Sequence, residues 1–205
     1  MDTSWIRKKT HSTQFGSCKE IKGLFDKADF LVCNFEAPIH TNGTKPIKKS
    51  GPALKQSEKA PQFLRDWGFN VILLANNHIM DYGKEGCDAT IKAFDDVVTI
   101  GAGEAKDAYC VKYIESKGKK IGLCSLVQNE FGVVEGQAGR SFGTAWINSL
   151  DVPEIIREAK LKCVFLVVFP HARVEHTAAP LPEWRDVYKQ FVDLVADAVI
   201  AGHPH

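Results

Sequence analysis

A chain of 205 residues and 22.7 kDa, 44% hydrophobic and 25% charged, has the makeup of a soluble globular protein with room for one large domain or two small ones. Its net charge of +1 and pI of about 7.6 give no global field for nucleic acid or an anionic membrane surface, so neither is expected as a partner. The longest apolar runs, around Cys163 to Phe169, have the length of a strand rather than a membrane span, and Met1 to Glu20 lacks the apolar centre of a signal peptide, so the chain as it stands reads as cytoplasmic.

Met1 to Phe15 is polar with little periodicity, a loose or strand-edge start. Ser17 and Glu20 have capping-box spacing ahead of a helix whose Ile21, Leu24, Phe25 and Ala28 share one face and which ends near Asp29. Phe30 to Phe35 is the first apolar strand. Ala37 to Gln56, with Pro38, Gly43, Pro46, Gly51 and Pro52, is a long loop made basic by Lys45, Lys48, Lys49 and Lys55. It reads either as a solvated surface loop or as a lid that draws in an anionic substrate. A short helix around Lys59 to Trp67 leads through Gly68 into a strand, Asn70 to Ala75. A second helix, Lys84 to Asp95, carries Cys87, Ile91 and Phe94 on one face, and a short strand, Val97 to Ile100, follows. Gly101-Ala102-Gly103 reads as a tight turn.

Ala108 to Ile114 and Lys120 to Val127 pattern as an antiparallel hairpin turning at Lys117-Gly118-Lys119. Gln128 to Gly143 is Gly-rich and reads as a flexible loop. Asp151, Pro153 and Glu154 open a helix that turns Val152, Ile155, Ile156 and Ala159 inward. Next come a strand, Cys163 to Phe169, and a helix with Trp184, Val187, Tyr188, Phe191, Leu194 and Val195 on its core side. A last strand, Ala198 to Ala201, runs on to His205. Strands alternating with helices, plus one hairpin, specify a single α/β domain with mixed sheets. The six cysteines form no C-x-x-C pair and sit mostly in apolar patterns, as buried free thiols would.

Four apolar strands end in polar side chains: FLVCNFE at Glu36, NVILLANNH at His78, CVFLVVFPH at His171 and DAVIAGHPH at His205. In α/β sheets ligands bind at the carboxyl ends of strands, so these ends are expected to converge on one site. The candidate set is Asn34, Glu36, Asn77, His78, Asp81, His171, Glu175, His203 and His205. Imidazole, carboxylate and amide groups suit Mn, Fe, Zn or Ni. One or two such ions would activate water and hold an anion. The H-x-H spacing of His203 and His205 puts both rings on one side of an extended segment. Each residue also has a plainer use: Asn77 capping a turn, Asp81 satisfying loop amides, Glu175 in solvent.

ADFLVCNFEAPI, LLANNHIMDYG, TIGAGEAKDAY, PHARVEH and ADAVIAGHPH occur in an order and spacing that resemble the CapA-type proteins of bacterial capsule and poly-gamma-glutamate synthesis. The resemblance covers nearly the whole chain. It implies a calcineurin-like metallophosphoesterase fold, an α/β/β/α sandwich of two sheets, with Asn34, Glu36, Asn77, His78, His171, His203 and His205 lining the cleft. In that reading Glu36, Asn77, His78, His171, His203 and His205 hold a divalent metal (Mn, Fe or Zn), and Glu36, His78 and His171 are catalytic. Asn34, Asn77, Asp81 and Glu175 bind substrate, an anionic polymer or peptide-like chain, and capsule synthase subunits are further expected partners. Two departures stand out: no strand ending in Gly-Asp precedes Ser17, and the chain stops at His205. It is therefore expected to be truncated relative to the family, whose members are often exported or membrane-anchored. Alternatives to a metal-dependent hydrolase or transferase are a metal-independent acid–base enzyme, such as a peptide epimerase, and a non-catalytic polymer-binding scaffold.

Overall fold

A computed structural model describes residues 18–39, 41–130, 142–172 and 179–203 of the chain. Its elements, in order, are α1 (Cys18–Phe25), β1 (Val32–Asn34), α2 (Ala60–Asp66), β2 (Val71–Leu73), α3 (Gly83–Ala93), β3 (Val98–Ile100), β4 (Ala102–Glu104) and α4 (Ala105–Ala108). They continue with β5 (Lys112–Ser116), β6 (Lys119–Val127), β7 (Phe142–Thr144), α5 (Val152–Lys160), β8 (Phe165–His171), α6 (Pro182–Asp193) and β9 (Ala198–Val199). Strands β1-β2-β3 form a parallel sheet, and β5-β6-β8-β9 form a mixed sheet in which only the β5–β6 hairpin is antiparallel. A short antiparallel ladder joins β4 to β7.

Side chains alternate between the two faces of a strand, and here both faces are covered. In β2, Val71 joins an apolar cluster with Ile100, Ile114, Leu123, Val167 and Phe169, contributed by both sheets. Its neighbour Ile72 joins Leu74, Cys87 and Phe94, with Leu64 and Ile91 of α2 and α3 packed around them. The same alternation in the second sheet turns Leu123, Val167 and Phe169 toward the first sheet. Cys124, Leu126, Leu166 and Val168 face Ile156, Ala159 and Phe191 of α5 and α6. The layers are therefore helix, sheet, sheet, helix, the α/β/β/α sandwich expected from the sequence.

Several local expectations are corrected. Ala108 belongs not to a strand but to α4, because Ala105 to Ala108 closes a helical turn with the Tyr109 amide bonded to Ala105 O. Gly101-Ala102-Gly103 is not simply a turn: Ala102 pairs with Thr144 and Gly103 with Gly143. The Gln128 to Gly143 loop accordingly ends in a strand. Asp151 occupies the N-cap of α5 without a side-chain cap bond. In α1 the helix closes at Phe25, and only Phe25 packs as foreseen, edge-on to Trp67 and Phe69 at 6.2 and 5.5 Å. Ile21 and Leu24 are 47% and 67% exposed. Cys110 is exposed, unlike the buried Cys87 and Cys124.

Burial pushes the thiols of Cys33 and Cys124 up to about 12, which holds them protonated and unreactive. Cys110 is thus expected to react with a thiol-specific disulfide reagent well before Cys33, Cys87 and Cys124. Mass mapping of the labelled peptides checks this, and early labelling of Cys124 would contradict the packing. Gly101 has φ +99°, and a Cβ there would lie 2.5 Å from Ala75 Cβ and 2.7 Å from Ala75 N. Gly118 has φ +73° but open space around it. Gly101→Ala should therefore destabilise by about 3 kcal/mol or more and Gly118→Ala by only about 1 kcal/mol, compared by urea unfolding. Equal losses would mean that the contact with Ala75 is not tight.

Candidate functional site

The site is assembled at the carboxyl ends of strands from both sheets. At the end of β1, Asn34 Nδ2 donates to Glu36 Oε2 at 3.0 Å. Asn76, just beyond β2, is almost fully buried. Its Nδ2 donates to Asn34 Oδ1 (3.2 Å) and Phe35 O (3.0 Å), while its Oδ1 accepts from the amides of His78 (3.2 Å) and Ile79 (2.8 Å). One amide therefore locks the end of β1 to the turn after β2.

β8 delivers His171, which is buried and has Nε2 3.1 Å from Asn77 Oδ1 and 3.9 Å from Glu36 Oε1. The β8 end is tied to β6 by the Gln128 amide, which donates to His171 O at 3.0 Å. His203, also buried, follows β9 and sets its ring centroid 4.8 Å from that of His171, the planes inclined at 52°. Ligand atoms of Glu36, His171 and His203 all lie within 4.8 Å of one another. Ala37 and His203 adopt φ of 90° and 103°, a left-handed conformation that non-glycine residues rarely take. Backbone strain of this kind, of order 1–3 kcal/mol per residue, persists where the surrounding structure holds it.

His78 and Asp81 form a second cluster with a residue from the basic loop. His78 Nδ1 is 2.7 Å from Asp81 Oδ2 and 3.2 Å from Lys49 Nζ, and Lys49 is ion-paired with Asp81 Oδ1. The Lys49 and Asp81 side chains are 4% and 0% exposed. The Leu54 amide donates to Asp81 Oδ2 at 2.6 Å, and the Ile47 amide to Asp81 O at 2.9 Å. Gln56 donates from its amide to Pro38 O and from Nε2 to Glu36 O. The loop is thus fastened along the site at Ile47, Lys49, Leu54 and Gln56. The Lys49 ammonium serves this fastening, while Lys45, Lys48 and Lys55 stay exposed.

The structure therefore brings together Asn34, Glu36, Asn77, His171 and His203. It sets His78 and Asp81 in the adjoining cluster, where the Asp81 carboxylate is bonded to Lys49, the Leu54 amide and His78. Glu175 and His205 lie outside the described residues. Three participants were not singled out from sequence: Asn76, visible only as part of A-N-N-H; Lys49, one of several loop lysines; and Glu130. Glu130 Oε1 lies 3.6 Å from His203 Nε2, and its Oε2 accepts from Asn77 Nδ2 at 3.3 Å.

A family model described as bacterial capsule synthesis protein PGA_cap matches residues 4–205. The capsule biosynthesis protein CapA of Bacillus anthracis is 28% identical over 196 residues, covering 91% of this chain and 47% of its own length. The PGA biosynthesis protein CapA of Bacillus subtilis (strain 168) is 27% identical over 192 residues, 90% of this chain and 50% of that one. The chain spans about half the length of these curated relatives. Among solved structures, a hypothetical protein from Thermus thermophilus superposes with a TM-score of 0.55 at 14% identity, covering 91% of this chain and 61% of the other. A Staphylococcus aureus protein provisionally named a 5′-nucleotidase, solved with alpha-ketoglutarate, gives 0.54 at 18% identity, covering 90% and 38%. These likenesses agree with the α/β/β/α sandwich.

Removing one partner of a buried ion pair leaves the other uncompensated, so Lys49→Met should destabilise by roughly 3 kcal/mol. Adding Asp81→Asn to that variant should recover part of the loss. Chemical denaturation of the single and double variants checks the pair, and a Lys49→Met protein as stable as the parent would show the pairing to be superficial.

Proposed function

Because the chain belongs to the bacterial capsule synthesis protein PGA_cap family, we propose that it acts in making or processing a capsular poly-gamma-glutamate-type polymer, with a cation-assisted hydrolytic or transfer site at Glu36, His171 and His203. The observation that carries this reading is the mutual approach of three ligand atoms within 4.8 Å at the strand ends. Two imidazoles and a carboxylate suit Zn, Mn or Fe. The spacing fits as well. His171 Nε2 and Glu36 Oε1, 3.9 Å apart, lie beyond hydrogen-bond reach. Two ligands of one tetrahedral ion at bond lengths of about 2.1 Å sit about 3.4 Å apart, so a small inward shift would close both onto a cation.

In this reading Glu36, His171 and His203 hold the ion, with Asn77 contributing its amide oxygen. The ion would polarise a phosphoryl or carbonyl oxygen and acidify a bound water. The protein's own groups do the rest. Asn34 holds one oxygen of Glu36 through its amide, which leaves the other turned toward His171. His78 is hydrogen-bonded by Asp81 through Nδ1, which orients its ring for proton transfer at Nε2. Lys45, Lys48 and Lys55 on the fastened loop supply positive charge for an anionic polymer.

Elemental analysis of protein purified without chelator or a nickel column is expected to show near-stoichiometric Mn, Fe or Zn, falling sharply in His171→Ala and His203→Ala. His78→Ala should keep its metal yet lose hydrolysis of phosphoester or gamma-glutamyl substrates, since it lies outside the ligand group. A folded protein free of metal, with activity insensitive to chelators, would overturn the cation reading in favour of acid–base chemistry.

A further inference from the structure

Glu130 enters the site from the segment just after β6, where no sequence pattern marks it, and its two oxygens face two different site residues. Oε2 accepts from Asn77 Nδ2 at 3.3 Å, and Oε1 stands 3.6 Å from His203 Nε2. An ionised carboxylate can only accept hydrogen bonds, so the Asn77 amide must present its NH2 to Glu130. Its Oδ1 then necessarily turns to His171, 3.1 Å from Nε2. His171 can donate or accept at Nε2 according to its tautomer, so among these contacts the Glu130 carboxylate is the one that fixes which end of the Asn77 amide faces which partner. With it, an oxygen rather than an NH2 faces the ligand group. The His203–Glu130 gap, like that between His171 and Glu36, is too long for a hydrogen bond. Glu36 and Glu130 follow strands of different sheets and stand beside the two neighbouring imidazoles, so a divalent cation there would meet two carboxylate groups.

We propose that Glu130 is a positioning residue of this site, orienting Asn77 so that its amide oxygen faces the cation and supplying the second carboxylate charge beside His203. This rests on the cation reading of Glu36, His171 and His203. Outer partners of ligand side chains typically account for 10- to 100-fold in metal affinity. The prediction is therefore that Glu130→Gln and Glu130→Ala weaken Zn2+ or Mn2+ binding to the apo protein by about tenfold or more, with thermal unfolding of the apo protein unchanged.

The test is isothermal titration of each metal alone into wild type, Glu130→Gln, Glu130→Ala, Asn77→Ala and the Asn77→Ala/Glu130→Ala pair. The part of the Glu130 effect that runs through Asn77 will be missing from the double variant, so its loss will be smaller than the sum of the two single losses, a non-additivity that a merely structural surface residue would not produce, and the loss that remains beyond Asn77→Ala reports the charge beside His203. Glu130→Asp should recover part of the affinity. Wild type binding metal while Glu130→Gln and Glu130→Ala bind equally well would overturn the role of Glu130 and leave the cation site standing. Wild type binding neither metal would overturn both.

Discussion

The site depends first on a single buried amide. Asn76 donates to the end of β1 and accepts from two amides of the turn after β2. Each such bond contributes only about 1 kcal/mol net, yet every group it satisfies would be costly to leave unpaired in the interior. Because the four bonds act on Asn34, Phe35, His78 and Ile79 together, the direction of Glu36 and the course of the His78 turn are set by one side chain. Gly101 supports the arrangement from outside, its missing Cβ letting the chain pass against Ala75 just before Asn76.

From that anchor the polar groups divide into two neighbouring clusters with different electrostatic characters. In one, the Lys49 ammonium neutralises Asp81 in a water-poor setting, and the result is a fastened loop and an oriented His78. In the other, the carboxylates of Glu36 and Glu130 stand beside the imidazoles of His171 and His203. A cluster whose charge is already balanced by a buried ammonium has little to offer an added cation. One with two carboxylates beside imidazoles does, and this difference separates the candidate ligands from His78, although all sit in similar strand-end motifs.

Much of the fold could be read from apolar runs. Phe30 to Phe35 and Asn70 to Ala75 each contain an observed strand and Cys163 to Phe169 overlaps one, because a strand covered on both faces is apolar throughout. The strands are shorter than the runs at β1 and β2, since a run marks burial whereas a ladder needs partners in register. The β4–β7 ladder was missed for a related reason: Ala102-Gly103-Glu104 has no strand pattern, and it pairs only because Phe142 to Thr144 lies beside it. Asn34, Glu36, Asn77, His171 and His203 were legible as polar residues closing apolar runs. Glu130 and Lys49 were not, as each lies in a loop and gains its role from residues 29 to 73 positions away in the chain.

The strained backbone at Ala37 and His203 follows from the same geometry. Glu36 must turn its carboxylate toward His171 immediately after the chain leaves β1, and His203 must fold its ring onto His171 directly after the two-residue strand β9. A chain leaving a strand in extended conformation would alternate its side chains and carry at least one of these groups away from the cleft. The left-handed turns at Ala37 and His203 break that alternation where the polar groups must converge. Strain of order 1–3 kcal/mol at each is opposed by neighbouring hydrogen bonds: Gln56 holds Glu36 O and the Gly202 amide holds Pro170 O, fixing the backbone on the approach to both turns. The convergence of the ligand group is thus imposed by the scaffold, and a cation arriving there would meet donors already gathered.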